Sequence, residues 1–479
     1  MLFVSLIALP LLAAEPLPER LITSENGHFL TTASGRPVFL LADTAWGLVN
    51  RLQRDELEVY LRHRQSQRFN AVTFVLFTPG NPDIADGKQN LYRQAPFRLA
   101  SGQPDPTQPL TNPGANPANP AEYDFWDHVD YTIALTKRLG MYAIVLPCWG
   151  SAVVGDYAGK NSDTAVVNAN NSVIYGRWLA ERYGQEPHVL WMLGGDRRAV
   201  YGERDYRPVF HALAQGLADG GSEQLTSFHP PKRSPQSGDW FHGDSWLDFN
   251  SIQHWPEDQV AAIARDWQAT PAKPTWLFEG RYEGYWKNNY QPDDWGEWQC
   301  RQQAWQTVLA GSFGHTYGHE RVFGFGTDGA DWRAALDSPG AKSMTHLARL
   351  MNDLSEMNSL TRQPDQSLLA TAEGKAERLV SDRITISRTT NNRCILAYTA
   401  SGRPIKLHLE KLAKLPLFAW WFNSRTGNWH TGETETVTRR HFAADISSGP
   451  GTPIGEFDPP GESGPRQDWV LLLSASEDL

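Results

Sequence analysis

The sequence predicts a (β/α)₈ barrel followed by a small antiparallel β-sandwich domain, and three observations support this fold class. From Pro37 onward, short apolar runs repeatedly precede longer segments of helical spacing, as in βα units around a parallel sheet. Eight such strands fit a barrel, and no GxGxxG motif follows the first, which disfavours a doubly wound open sheet. From about Gln366 the pattern changes to short alternating runs separated by turn signals.

The barrel strands are the most regular signal. In order, they are predicted at Val38–Leu41, Ala71–Phe77, Tyr142–Leu146, Val189–Leu193, Leu225–Phe228, Phe249–Ile252, Thr275–Phe278 and near Phe313–Tyr317. The segment from Gly102 to Ala121 contains six prolines, so we expect a long irregular loop after the second strand.

Two helices between these strands can be placed from spacing and stop signals. Trp126, Val129 and Ile133 recur at helical spacing, and Gly140 follows where a helix would end. A second helix, before the fourth strand, is expected to end at Gly184.

The C-terminal part of the chain has the pattern of a separate antiparallel domain. Its strands are predicted at Arg383–Ser387, Cys394–Tyr398, Ile405–Leu409, Leu417–Phe422 and Trp469–Leu473. The Gly- and Pro-rich interval Gly449–Gly464 is expected to be a loop within this domain. We therefore divide the chain into a signal (1–14), a barrel (15–365) and a C-terminal domain (366–479).

The N-terminal segment Met1–Ala14 is apolar, too short to span a bilayer, and ends in small residues, although no basic residue precedes it. It predicts a signal peptide and a secreted or periplasmic protein. No second apolar run reaches the length of a membrane span. Cys148, Cys300 and Cys394 form neither a disulfide framework nor a CxxC knuckle, so we expect buried thiols.

Composition narrows the class of ligand. Lys and Arg number 44 against 54 acidic residues, for a net charge of -10, and no dense basic run is present, which argues against nucleic acid as a partner. The 19 Trp, 15 Tyr and 20 Phe favour sugars, because aromatic faces pack on their C–H faces. Many of these aromatic residues must also fill the core.

Polar residues that follow barrel strands are the best site candidates, because reacting groups lie at the C-terminal ends of such strands. Asp196 follows the fourth strand through Gly194 and Gly195, and Glu279 follows the seventh directly. Glycosidic cleavage requires such a pair, one carboxyl protonated and one ionised. The alternative is that both acids form ordinary ion pairs with neighbouring arginines.

Around this pair we expect further substrate contacts and no cofactor. The candidates for binding sugar hydroxyls are Asp43, His229, Gln253, Tyr282, His315 and Tyr317, with Trp46 and Trp149 stacking on a ring. His315 and His319 would suit a metal if they lay on a helix, which defines a second class, a metal-dependent barrel hydrolase. The glycines before each histidine disfavour that helix.

The chain resembles the apiosidase-like glycoside hydrolases, whose barrel is joined to a C-terminal domain related to a collagen-binding module of collagenases. The resemblance covers nearly the whole mature chain. It is carried by 41–46 (LADTAW), 125–130 (FWDHVD), 193–196 (LGGD), 279–283 (EGRYE), 314–319 (GHTYGH) and 421–427 (WFNSRTG).

This resemblance implies that Asp196 is the general acid/base and Glu279 the nucleophile of a retaining hydrolase. It also implies a branched plant cell-wall (pectic) glycan, with terminal apiose as the type substrate. In place of the proline expected after the strand-seven glutamate stands Gly280, which is expected to loosen the turn that aims Glu279. Glu283 is an alternative nucleophile, but we expect it to support the site rather than to react. A third class, a non-catalytic carbohydrate-binding or adhesion protein, is disfavoured by the presence of both acids. The C-terminal domain is expected to pack on the barrel.

Overall fold

The fold is described from a computed structural model of the chain. The described residues are 17–477 except 80, 82–83, 85–88, 157–163, 234, 255, 286–294, 327–330, 355–356, 358–360, 371–381, 413–415, 432 and 447–453. The expected signal peptide therefore lies outside the described residues.

Eight parallel strands form the predicted barrel. They are β1 (Leu40–Thr44), β2 (Ala71–Phe77), β3 (Tyr142–Cys148), β4 (Val189–Gly194), β5 (Thr226–His229), β6 (Asn250–Gln253), β7 (Thr275–Glu279) and β8 (Gly314–Tyr317). Their order in the sheet is β5-β4-β3-β2-β1-β8-β7-β6. Each predicted strand is present, and the last residue of each observed strand lies at or beyond the predicted end.

The barrel closes between β5 and β6 mainly through side chains. The hydroxyl of Ser227 donates to the carbonyl of Phe249 at 2.6 Å, and that of Ser251 donates to the carbonyl of Phe228. Because these bonds replace a regular backbone ladder, the short polar residues of β5 and β6 complete the ring.

In the described part of the chain, seven longer helices surround the barrel. They are α1 (Arg54–Ser66), α2 (Phe125–Arg138), α3 (Ala169–Tyr183), α4 (Arg207–Asp219), α5 (Pro256–Trp267), α6 (Glu297–Leu309) and α7 (Pro339–Asp353). Short helices occupy Leu48–Arg51, Ser151–Val154, Ser237–Phe241 and Trp332–Ala335. The carboxylate of Asp124 accepts from the backbone of Trp126 and Asp127, which explains why α2 begins there.

The prediction of an irregular loop over Gly102–Ala121 is wrong in its first half. Gln103–Pro109 is a strand that pairs antiparallel with Phe97–Ala100. Its prolines are tolerated because a two-stranded ribbon has only edge strands, on which half of the N–H groups have no partner to lose. Smaller sheets join Leu21–Thr23, Leu30–Thr32 and Pro37–Val38, and Val200–Tyr201 with Arg204–Asp205.

Among its described residues, the C-terminal domain contains one large antiparallel sheet and one small one. The large sheet has the order Arg362–Pro364, Ile384–Thr389, Cys394–Thr399, Trp469–Ser474, Leu417–Asn423, Trp429–His430, Glu435–Thr436, with Ala443–Ile446 beside Leu417–Asn423. Ile405–His408 pairs with Ile454–Phe457, so part of the interval predicted as a loop is a strand. Single turns of 3₁₀ helix lie at Gln366–Leu368 and Leu409–Lys411.

Both faces of the large C-terminal sheet are buried. Along Leu417–Asn423, Trp420 and Phe422 pack in the cluster shared with the barrel helices, whereas Trp421 packs in the domain's own core. The domain contact also contains a buried ion pair, in which Arg301 of α6 binds both carboxylate oxygens of Asp468 at 2.8 and 2.9 Å. The expected packing of this domain on the barrel is thus observed.

All three cysteines are buried and free, as predicted. Over the described part of the chain, the helices are all too short or too polar to traverse a lipid bilayer.

Candidate functional site

The C-terminal ends of β5, β6 and β7 surround a cavity that is partly open to solvent. Its walls are formed by Lys232, Gln253, His254, Glu279, Gly280, Arg281, Tyr282 and Tyr285. Parallel strands carry their following loops to one rim of the barrel, which is why residues from three separate segments meet here.

Glu279 is the most constrained carboxylate of this rim. One oxygen accepts from the hydroxyl of Tyr282 at 2.6 Å, and the other lies 2.8 Å from Nε2 of His229. The hydroxyl of Tyr282 in turn accepts from the indole N–H of Trp46 at 2.8 Å. Glu279 is only 7 % exposed, so these contacts fix its orientation.

The hydrogen-bond partners of His229 define how protons are shared in this pair. Nδ1 of His229 lies 2.8 Å from the carbonyl of Pro230, which can only accept, so Nδ1 carries a proton. One further proton then lies between Nε2 and Glu279. When Glu279 is ionised, His229 is an imidazolium, and the two groups form a neutral pair.

Asp196 sits on an unusual piece of backbone after β4. Its own φ is 53°, and Gly194 and Gly195 have φ of 84° and 131°. A Cβ on Gly195 would lie 2.6 Å from the backbone nitrogen of Gly150, so the chain could not follow this path with a side chain there. A strained backbone at a strand end is a feature of functional sites.

The described ion pair of Asp196 is with Arg197, one of the arginines of the ion-pair alternative. The carboxylate of Asp196 lies 3.7 Å from Nη1 of Arg197, which also donates to the Asp196 carbonyl at 2.9 Å. The described ion-pair partner of Glu279 is His229.

Aromatic rings connect the two acids. The Trp149 ring is 5.1 Å from that of Trp46 and 5.6 Å from that of His229, measured between centroids. A side chain at Gly195, next to Asp196, would meet the Trp149 ring at 3.0 Å. The two candidate acids, Trp46 and Trp149 are therefore brought to the same end of the barrel, as the sequence predicted.

Two neighbouring residues at the end of β6 present polar atoms at the cavity. The side-chain oxygen of Gln253 is buried without a hydrogen-bond partner. Nε2 of His254 lies 2.7 Å from the amide nitrogen of Gln236, whose oxygen accepts from Arg265. Nε2 is therefore an acceptor and Nδ1 carries the proton. Burial lowers the pKa of His254, which favours this neutral form.

Asp43, His315 and Tyr317 do not fit their predicted contact with substrate. The fully buried carboxylate of Asp43 accepts from Tyr60 and Arg64 of α1, each at 2.6 Å, and burial raises its pKa. These three residues lie on the outer face of β1 and β8, where side chains meet helices. The end of a strand fixes how far along the barrel axis a residue lies. The alternation of side chains along the strand decides whether that residue faces the barrel interior or the helices.

The two histidines of the metal alternative do not share a helix. His315 lies in β8, in register with Leu41, and His319 accepts from the backbone of Arg321 at 3.0 Å. Within the ranges described, no group of three or more His, Cys, Asp and Glu side chains is arranged to hold a metal ion.

The fallback acid Glu283 supports the structure around the site. One of its oxygens accepts from the backbone of Gly340 near the start of α7 at 2.9 Å, and the other from Tyr317. An anionic group at a helix N-terminus is favourable, so this carboxylate ties the loop after β7 to α7.

Lys232, Arg281 and Tyr285 line the cavity but were missed as site residues, and His254, a polar residue at the end of the sixth strand, was assigned no role. The cations of Lys232 and Arg281 lie 5.9 and 5.7 Å from the centroid of the Tyr285 ring. All four follow strands five to seven within a few positions. If more positions after each predicted strand had been considered, Lys232, Arg281 and Tyr285 would have been found.

A barrel of eight parallel strands with two acids at the carboxyl rim defines the class of retaining and inverting sugar hydrolases. Residues 24–358 match the family model "Apiosidase-like, catalytic domain", and residues 363–474 match "Putative collagen-binding domain of a collagenase". The chain therefore belongs to the apiosidase-like family and is a glycoside hydrolase, as the resemblance implied. No curated protein matches the chain.

Solved structures agree with this class. The chain is similar to a glycoside hydrolase family 5 protein from Bacteroides vulgatus ATCC 8482, at 27 % identity and a TM-score of 0.78, over 96 % of this chain and 95 % of that one. A second glycoside hydrolase shows the same identity and TM-score, over 96 % and 97 %. A GH27 β-L-arabinopyranosidase from Geobacillus stearothermophilus shares the fold at 11 % identity and a TM-score of 0.50, over 92 % and 97 %.

Proposed function

We propose that this enzyme cleaves a glycosidic bond in a pectic, carboxylate-bearing glycan by a retaining mechanism, with Glu279 as nucleophile and Asp196 as general acid/base. The observation that carries the proposal is the environment of the Glu279 carboxylate. This carboxylate is buried at a cavity, held by the Tyr282 hydroxyl and His229.

In the first step, Glu279 attacks the anomeric carbon while Asp196 gives its proton to the departing oxygen. Nε2 of His229 and the Tyr282 hydroxyl hold the Glu279 carboxylate in place until the covalent bond forms. In the second step, water attacks the glycosyl-enzyme, Asp196 accepts its proton, and Glu279 leaves as a carboxylate.

The charge of the cavity supports an acidic glycan. Lys232 and Arg281 line the same space as Glu279, although the whole chain carries a net charge of -10. Arg and Lys are the usual partners of carboxylates, and a uronic acid would supply one. The family adds terminal apiose on a plant cell-wall glycan as the expected type of substrate.

Such polymers lie outside the cell, so the proposal includes export. It rests on the apolar segment Met1–Ala14, and N-terminal sequencing of the protein expressed from the full chain tests it. Recovery from the cytoplasm with Met1 retained would refute export.

The direct test of the reaction is hydrolysis of a panel of aryl glycosides and pectic oligosaccharides. We expect Asp196→Ala and Glu279→Ala to lose at least about a thousandfold in rate, with the exposed Glu181→Gln as a folded control. Azide should restore turnover to Glu279→Ala, giving a glycosyl azide of inverted configuration.

The anomeric configuration of the product distinguishes a retaining from an inverting mechanism. NMR of the first product formed should show the anomeric configuration of the substrate. An inverted first product would refute the retaining assignment, and an active Glu279→Ala variant without azide would refute the nucleophile. Binding of a glycan without any cleavage would favour the carbohydrate-binding alternative.

A further inference from the structure

The turn that follows Glu279 is held by a side chain from another element. The backbone N–H of Arg281 donates to the side-chain oxygen of Gln303 at 3.0 Å, and the amide nitrogen of Gln303 lies 3.5 Å from the Arg281 carbonyl. The same carbonyl accepts from the indole of Trp295 at 3.0 Å. Both polar groups of the Arg281 backbone are therefore fixed from outside the turn.

Gly280 makes this contact possible. A Cβ at position 280 would collide with the whole amide group of Gln303, so the amide occupies the space that a side chain would need. The sequence suggested that glycine here leaves the turn loose. The structure shows instead that glycine leaves room for the Gln303 amide, which holds the turn in place. We call the two contacts of this amide with the Arg281 backbone the clamp.

Gln303 is itself immobilised. It is 2 % exposed, and its helix α6 lies between the barrel and the large C-terminal sheet. Two residues earlier, Arg301 binds Asp468, and two residues later, the Trp305 ring stacks on Tyr398 at 6.1 Å with an angle of 15° between planes. The C-terminal domain thus holds the outer side of the helix whose inner side holds the nucleophile turn.

We propose that Gln303 is a positioning residue of the reaction, which acts on substrate only through the orientation of Glu279. This rests on the proposed role of Glu279. An error of about 1 Å in a reacting group costs on the order of a hundredfold in rate. On an uncharged substrate, to which Arg281 offers no ion pair, binding by the rest of the cavity should change little. Loss of the clamp should therefore lower kcat and leave KM nearly constant.

The test compares Gln303→Leu with Gln302→Leu, on a substrate cleaved in the panel. Gln302 is a matched control, since it is buried on the same helix and its amide nitrogen has no partner. We expect Gln303→Leu to lose roughly 10- to 100-fold in kcat with KM within about threefold, and Gln302→Leu to keep its kcat.

A double variant separates positioning from general damage. In Glu279→Ala rescued by azide, the nucleophile is no longer aimed by the turn, so adding Gln303→Leu should leave the rescued rate unchanged. An equal loss in the rescued background, or a kcat of Gln303→Leu within twofold of wild type, would overturn the positioning role. An active Glu279→Ala without azide would instead show that the proposed nucleophile is wrong.

A second pair of variants tests the contact if Gln303→Leu does not fold. Gly280→Ala alone should lower kcat, because its methyl group displaces the amide. In a Gln303→Ala background the space is empty, and Gly280→Ala should cost little further activity. The same loss in both backgrounds would overturn the clamp.

Discussion

Replacing Asp468 by Ala should destabilise the whole protein by about 3–5 kcal/mol, because the buried Arg301 loses its bidentate partner and keeps the longer ion pair with the half-exposed Glu297 at 3.4 Å. Both side chains of the Arg301–Asp468 pair are 0 % exposed. Burial opposes the charge of Arg301, and Asp468 more than offsets it, so the pKa of Arg301 is raised. Asp468 also accepts from the hydroxyls of Ser424 at 2.6 Å and Tyr398 at 3.2 Å, and these donors lose their partner too.

The assay is urea unfolding followed by tryptophan fluorescence, since Trp298 and Trp305 of α6 contact the C-terminal domain. The exposed pair Arg177–Asp219 is the control, and Asp219→Ala should leave the urea midpoint nearly unchanged. The double variant Arg301→Met/Asp468→Leu should recover much of the loss, because apolar side chains need no partner. A cost of less than about 1 kcal/mol for Asp468→Ala would refute the reasoning.

Three further predictions concern other parts of the molecule. Burial lowers the pKa of His315 to about 3 from 6.5, so its contribution to stability is full above pH 6.5 and falls as pH drops toward 3. At pH 5 the loss is about 2 kcal/mol, and His315→Asn should reduce the fall in the free energy of unfolding between pH 7 and pH 5, measured with urea, by that amount; an unchanged fall would contradict it. Burial raises the pKa of Cys148 to about 12, and a thiol reagent should label none of the three cysteines before unfolding. Lys232→Ala should raise KM for an acidic oligosaccharide and leave that for its methyl ester nearly constant; equal effects on both would exclude recognition of a carboxylate.

The barrel strands could be predicted because buried parallel strands are nearly continuous apolar runs. Ala71–Phe77 is identical in prediction and structure. The hairpin Phe97–Pro109 was missed because its prolines are typical of loops, and the context that tolerates them, a pair of edge strands, is not local.

The candidate site was predictable in part for a related reason. Position after a strand identified Glu279, and His229 and Tyr282 were found to bind it. The same rule failed for Asp43, whose partner Arg64 is a buried cation of α1 that no local pattern marks. Contacts such as Gln303 with Gly280 depend on a helix that begins many residues later, so spacing alone cannot reveal them.

The large C-terminal sheet has a consequence for how this chain can be divided. One of its faces, with Tyr398, Trp420, Phe422 and Leu472, packs in the same apolar cluster as helices of the barrel. Cut from the barrel, that sheet would present aromatic rings and the lone carboxylate of Asp468 to water, and it would aggregate. We therefore expect that the C-terminal domain does not fold on its own when it is expressed without the barrel. A fusion partner is better attached at a chain terminus than between the barrel and the sheet.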